Sequence, residues 1–234
     1  MKLSAFSLIL CLATGVFATE PNTLSSEEKA DGWRLLFDGK SLSGWRALKS
    51  EQPPAGWAAL DGALTRIAKS GDLVSAETFA DFELSVQWKI VKGVNSGIIY
   101  RVGLGEERTI FTGPEYQILD NGLFDELLAK GVPVGPLNRT GAIYDLVAPA
   151  RDVAKPLGEW NETRIVARGW QVEHWLNGVK LAEADLASPA GKALIAASKF
   201  AASPKFATLA RGHIALQDYD GRVSFRNIKI RELK

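Results

Sequence analysis

The sequence predicts an all-β sandwich: two packed antiparallel sheets with few short helices. Three observations carry that expectation. Apolar and polar residues alternate over short segments, most cleanly at Phe82, Leu84, Val86, Trp88 and Ile90. Two dipeptides that favour type I′ hairpin turns, Asp61-Gly62 and Asn177-Gly178, each separate two such segments. Helical patterning is sparse. Leu123 to Lys130 reads as a short helix, and the Ala-rich run Ala190 to Ser198 as a helix or a loop.

In chain order, Met1 to Ala18 has the layout of a secretory signal. Lys2 supplies a positive start, Phe6 to Leu12 an apolar core, and Val16-Phe17-Ala18 a small-residue cleavage site. The apolar run falls short of the ~20 residues that span a bilayer. Cys11, the single cysteine, lies inside it. Cleavage would leave a mature chain with no thiol and no membrane association, and a location in the periplasm or outside the cell. Residues 19–31 form a polar lead-in, where Ser25 or Ser26 can cap a helical turn over Glu27 and Glu28. Residues 32–234 are expected to form one β-sandwich domain.

Within it, strands are expected at Trp33–Phe37, Trp57–Leu60, Ala63–Ile67 and Asp81–Val91. Further strands are expected at Gly141–Val147, Thr163–Arg168, Gln171–Leu176, His213–Gln217 and Val223–Ile230, with Val179 and Leu181 completing the second hairpin. In the last strand the apolar phase shifts between Phe225 and Ile228, which predicts a bulge near Asn227. Gly131 to Thr140, with two prolines and two glycines, reads as a surface loop.

The chain is organised around Gly93 to Asp120, where GVNSGIIYRV and GPEYQILD read as a pair of strands. Side chains alternate between the two faces of a strand. With Ile98, Tyr100, Tyr116 and Ile118 turned to the core, Asn95, Arg101, Glu115 and Gln117 share the opposite face. An acid, a guanidinium and two amides in fixed directions suit a polyhydroxylated ligand.

Composition excludes several other classes. The formal net charge of +1 falls to about zero once Lys2 is removed, and no basic cluster stands out, so a nucleic-acid partner is not expected. Two histidines without ligand spacing make no zinc motif, and there is neither a G-x-S-x-G elbow nor a phosphate-binding glycine loop before a helix. No cofactor is predicted, and no metal site is assigned; calcium or another divalent ion on oxygen ligands stays open. Ordinary glycosidases flank the scissile bond with two carboxylates. Along the strand from Glu115 the same-face neighbours are Gln117 and Leu119, so a second acid would have to come from elsewhere, with Asp145, Glu159 and Asp218 as candidates.

The segments GWRLLFDGKSLSGWR, DFELSVQWKI, GVNSGIIYRV, GPEYQILD, GEWNETRIVARG, VEHWLNG, ASKF, HIALQD and VSFRNIKIREL occur in that order. Their combination resembles the secreted 3-keto-disaccharide hydrolase family, over about Gly32 to Leu233. The resemblance implies a concanavalin-A-like jelly-roll sandwich and a small-molecule carbohydrate substrate whose glucose unit is already oxidised to a ketone at C3. It further implies cleavage by removal of the C2 proton, β-elimination of the C1 oxygen and hydration of the double bond. One departure is visible: the family's L-Q-D-H-G is Leu216-Gln217-Asp218-Tyr219-Asp220 here, so no histidine role carries over.

That chemistry asks for a base, an electrophile for the enolate oxygen and an acid for the leaving group. Glu115, His174 and Lys199 are the catalytic candidates: Glu115 as base or acid, His174 for its near-neutral pKa, and Lys199 for the enolate oxygen. Asn95, Arg101, Gln117, Gln217 and Asp218 are the substrate-binding candidates. The sequence sets neither the linkage, nor the aglycone, nor the oligomeric state. The same fold and polar face would also serve a non-catalytic carbohydrate-binding module or a conventional glucanase.

Overall fold

A computed structural model describes residues 20–132 and 134–234. The signal-like segment 1–18 lies outside the described residues. The lead-in forms helix α1 (Ser26–Ala30), closed by a capping box in which Ser25 accepts from the Glu28 N–H and Glu28 accepts from the Ser25 N–H.

Thirteen strands follow among the described residues. They are β1 (Arg34–Leu35), β2 (Trp45–Ala47), β3 (Trp57–Leu60), β4 (Ala63–Arg66), β5 (Leu73–Phe79), β6 (Phe82–Ile90) and β7 (Asn95–Val102). Then come β8 (Glu115–Leu119), β9 (Asn161–Arg168), β10 (Gln171–Leu176), β11 (Val179–Asp185), β12 (Gly212–Leu216) and β13 (Val223–Glu232). One sheet has eight strands in the order β11-β10-β9-β6-β13-β4-β3, with β1 also paired to β13. The other has five, β2-β5-β12-β7-β8. Every pairing is antiparallel, and the two sheets make the mostly-β sandwich that the alternation predicts, in the jelly-roll form that the family resemblance implies.

The core lies between the sheets. Ile98, Tyr100, Tyr116 and Ile118 from the five-stranded sheet pack into one cluster with Phe82, Leu84, Val86, Trp88, Phe225 and Ile230 of the other. Buried indoles need a partner for N–H as well as an apolar bed. Trp88 donates to Thr163 Oγ1 (2.8 Å), Trp45 to the Leu36 carbonyl (2.8 Å) and Trp57 to the Gly71 carbonyl (3.0 Å). The bulge in β13 falls where the apolar phase predicts it. Pairing with β6 slips between Arg226 and Lys229, and Asn227 takes a left-handed φ of 48°.

Three local features differ from expectation. Gly141 to Val147 is no ladder strand: the segment closes on itself through reciprocal hydrogen bonds between Ile143 and Val147, with Asp145 at φ 61°. Strands β2 and β5 lack a clean apolar alternation. In β5 the inward position between Leu73 and Phe79 is Ser75, whose hydroxyl donates to the Glu77 carbonyl (2.7 Å) and accepts the Ile214 N–H (2.9 Å). The third is Arg101. Three residues of β7 span the register of two in β12, since His213 pairs with Val102 and Ala215 with Ile99. Arg101 sits in that bulge at φ 55°, so strand parity fails just there.

The candidate active site

The outer face of the five-stranded sheet carries the candidate site. Ile99 opposes Glu115 and Gly97 opposes Gln117 in the β7–β8 ladder, so these side chains share a face with Asn95. This face does not lie open. Its apolar part is a small cluster of Val74, Ile99, Val102 and Ala215 with Leu48 against it. Its polar part floors a cavity of about 130 Å³ lined by Asn95, Arg108, Ile110, Glu115, Gln117, Tyr144, Lys199, Gln217 and Tyr219.

Glu115 is 2% exposed and sits at the floor. Burial pushes its carboxyl up to about 8, and the negative Asp72 adds to the rise, against opposing pulls from Lys199, a Gln217 hydrogen bond and Arg108. Its Oε2 has no hydrogen-bond partner among the described residues. Leaving a buried oxygen unpaired costs about 1–3 kcal/mol, so such atoms cluster where a protein expects a ligand. Space for the carboxylate comes from Gly97, where a Cβ would stand 2.2 Å from Glu115 Oε1. Gln117 donates to Asn95 Oδ1 (3.2 Å), which fixes both amides beside the acid.

Two exposed cations stand at the rim. Lys199 opens a short 3-10 helix (Lys199–Ala202), which follows the helix Pro189–Ala197. The preceding Ser198 hydroxyl caps it by accepting from the Phe200 N–H (3.1 Å), and Phe200 anchors it by stacking on Phe206 with centroids 4.0 Å apart. The Lys199 N–H donates to Asp145 Oδ2 (2.8 Å), and its ammonium lies 3.8 Å over the Tyr144 ring. The self-closed 141–147 loop thus positions Lys199 rather than extending a sheet. Arg108 precedes the short helix Thr109–Phe111 in the β7–β8 connection.

The structure keeps Glu115, Lys199, Asn95, Gln117 and Gln217 together and separates three other candidates from them. Arg101, expected beside Glu115, is turned away by the β7 bulge. Its guanidinium donates to the Ala80 carbonyl (3.0 Å), pairs with Asp81 (3.2 Å) and lies over the Trp170 ring. His174 points into the core. Its Nδ1 faces the carbonyls of Ala142 (3.1 Å) and Gly141 (3.3 Å), which assigns the proton to Nδ1 and leaves Nε2 to accept from the Tyr100 hydroxyl (3.1 Å). Burial lowers its pKa to about 4 and keeps the ring neutral. Asp218 is committed to the framework: it pairs with Arg66 and accepts the N–H groups of Ser70 (2.5 Å) and Gly71 (2.6 Å).

Sequence reasoning missed Arg108, Tyr144 and Tyr219, which line this cavity, and Asp72, which lies outside it and acts on Glu115 through its charge. Asp72 is a second, largely buried carboxylate with a raised pKa, caused first by burial. It accepts from the Thr109 hydroxyl and from the Asp218 N–H (2.8 Å). The lack of an acid along the strand from Glu115 therefore does not exclude a second carboxylate supplied by the segment before β5. Asp145, Glu159 and Asp218 do not line the Glu115 cavity. Among the described residues no group of three or more His, Asp or Glu side chains converges to hold a metal ion.

Comparison with known proteins identifies the family. The chain is 32% identical to the 3-keto-disaccharide hydrolase of Bacteroides thetaiotaomicron, over 98% of this chain and 88% of that protein. Two crystal structures from Parabacteroides distasonis, each provisionally described as a glycosyl hydrolase, share the architecture. One is 31% identical with a TM-score of 0.83, covering 92% of this chain and all of the other. The second is 29% identical with a TM-score of 0.68, covering 86% and 99%. Residues 32–231 match the family described as the 3-keto-alpha-glucoside-1,2-lyase-like domain, and with that span the chain belongs to this family.

Proposed function

We propose that this protein is a glycosidase that cleaves the glycosidic bond of 3-keto-glucosides and 3-keto-disaccharides, with Glu115 as the base. The observation that carries the reading is Glu115 itself: a buried carboxyl at the floor of a polar cavity, with one oxygen unpartnered and a cation near it. A carboxyl poised at about 8 is a far stronger base than an exposed glutamate, yet still ionises near neutral pH. The ketone at C3 acidifies the C2 hydrogen. Glu115 takes that proton, the electron pair forms the C1–C2 double bond, and the C1–O bond breaks as the leaving oxygen gains a proton. Water then adds hydroxide at C1 and a proton at C2, giving 3-keto-glucose and the free aglycone.

Lys199 at the rim, with Arg108 beside it, supplies positive charge for the enolate oxygen at C3. Asn95, Gln117 and Gln217 meet the sugar hydroxyls. Membership of the family supports the substrate class, and the leader-like residues 1–18 support an exported protein, periplasmic or extracellular. The test is direct. Purified protein beginning near Thr19 is incubated with a glucoside before and after oxidation at C3. Aglycone release from the 3-keto form alone is the expected result, and equal release from the unoxidised glucoside would overturn the reading.

A further inference from the structure

Two connections between strands supply walls of the Glu115 cavity. The β7–β8 connection gives Arg108 and Ile110, and the β12–β13 connection gives Gln217 and Tyr219. The second is anchored to β7 at two points. The Gln217 N–H donates to the Gly97 carbonyl (2.9 Å), and Asp220 exchanges backbone hydrogen bonds with Asn95 (2.9 and 3.1 Å). Asp218 and Tyr219 stand between these anchors. What holds them, and what holds the other connection beside them, is a single carboxylate. Asp72, just before β5, accepts the Asp218 N–H on Oδ1 (2.8 Å) and the Thr109 hydroxyl on Oδ2. Thr109 follows Arg108, opens the short helix Thr109–Phe111 and is 1% exposed.

Asp218 returns the contact. Its carboxylate accepts the N–H groups of Ser70 and Gly71 and pairs with Arg66 of β4, which also donates to the Gly221 carbonyl (2.8 Å). Segments 70–72 and 217–221 therefore clasp each other, side chain to backbone in both directions, and Thr109 brings in the third segment. Both oxygens of Asp72 are engaged by framework donors, whereas Glu115 Oε2 has none among the described residues. Asp72 also stays outside the Glu115 cavity. We propose that Asp72 is a positioning residue: it ties the β7–β8 and β12–β13 connections together and so sets Arg108 and Tyr219 against a substrate held at Glu115. The inference rests on the proposed cleavage at Glu115 and gives the second carboxylate a part that does not touch substrate.

A tie and a reacting acid respond differently to substitution. Asp72→Asn keeps the tie, because its Oδ1 still accepts the Asp218 N–H and the Thr109 hydroxyl can turn to accept from Nδ2. Measured at a pH where the rate has levelled off, kcat/KM for a 3-keto-glucoside should stay within about fivefold of wild type in that variant. Asp72→Ala cuts the tie, and a displaced wall should cost ~10- to 100-fold. Thr109→Val, which serves if Asp72→Ala fails to fold, should cost about tenfold, and Thr109→Ser should restore the rate. The double variant Asp72→Ala, Thr109→Val should be no slower than Asp72→Ala alone, since both changes cut one tie. Hydrogen exchange read by mass spectrometry should rise in residues 103–113 and 217–221 together in Asp72→Ala. A loss of ~10²–10⁴ in Asp72→Asn overturns the positioning role, because that pattern belongs to an acid or nucleophile at the substrate. Additive losses in the double variant, or unchanged exchange in both connections, overturn it too, and in each of these cases the Glu115 chemistry stands. Absence of turnover by the wild type overturns the Glu115 reading and the positioning role with it.

Discussion

His174 and Glu115 are both wholly buried, and in both burial favours the neutral form, yet their surroundings make opposite use of that burial. Around His174, between the sheets, every polar atom is answered: Nδ1 faces the Ala142 and Gly141 carbonyls, and Nε2 meets the Tyr100 hydroxyl. Its pKa drops to about 4, and the ring acts as a neutral connector between β7, β10 and the 141–147 loop. Around Glu115, on the other face of the five-stranded sheet, the pKa rises to about 8 and one oxygen stays unanswered. The same desolvation therefore builds a structural histidine on one side of the sheet and a poised carboxyl on the other. What separates them is whether the site completes its own hydrogen bonds.

The comparison is broken most readily at Glu115. Glu115→Gln keeps the shape and removes the proposed base, so kcat/KM for a 3-keto-glucoside should fall by ~10²–10⁴. The variant should melt no lower than the wild type, because the site already prefers an uncharged side chain. Steady-state kinetics beside a thermal melt reads both. His174→Ala should show the reverse signature. It opens a cavity and strands the Tyr100 hydroxyl, a loss of about 2–4 kcal/mol in urea unfolding, with the rate of the folded fraction within tenfold of wild type.

Gly97→Ala is a subtler break. The new Cβ falls 2.2 Å from Glu115 Oε1 and 2.9 Å from its Cδ, so the carboxylate must move while the ladder stays paired. A displacement of about 1 Å at a reacting group can cost ~10²-fold in rate, and a loss of ~10- to 100-fold is expected at nearly unchanged stability. The smallest effect sharpens the contrast through pH. As a base, Glu115 works when ionised, so kcat/KM should rise with pH and level off above about 8, roughly tenfold higher than at pH 7. Stability should run the other way. The folded pKa lies above the ordinary value of 4.5, so the folded state holds the proton more tightly, and this contribution is lost as pH rises from there through about 8. Glu115→Gln should flatten both trends.

The parts of the sandwich legible in the sequence are those where one face is continuously apolar. The period of two in Phe82 to Ile90, and in Ile98, Tyr100, Tyr116 and Ile118, fixes which side chains enter the core, and the structure places all of them there. The same parity brings Asn95, Glu115 and Gln117 to one cavity. It fails at Arg101 because a single extra residue in β7 is invisible to alternation, and it is silent about β5 because Ser75 takes an inward place through hydrogen bonds. The type of His174 alone suggests acid–base work, and only packing reveals that its partners are carbonyls of the 141–147 loop. Arg108 and Tyr144 reach the site, and Asp72 its surroundings, from three separate segments, joined by contacts that no local pattern encodes. Lys199 belongs to the family-like segment ASKF, and its placement beside Tyr144 comes from the cap at Ser198 and the Phe200–Phe206 stack.

In the proposed route Glu115 removes a proton from C2, in place of nucleophilic attack at C1. Asp72 near Glu115 means that a carboxylate pair alone cannot distinguish the two routes. Isotope labelling does. Turnover of a 3-keto-glucoside in deuterated water, followed by NMR of the released 3-keto-glucose, should show deuterium at C2 from the hydration step, well above the exchange that free 3-keto-glucose undergoes in the same time. Release of 3-keto-glucose that retains protium at C2 would contradict the elimination route.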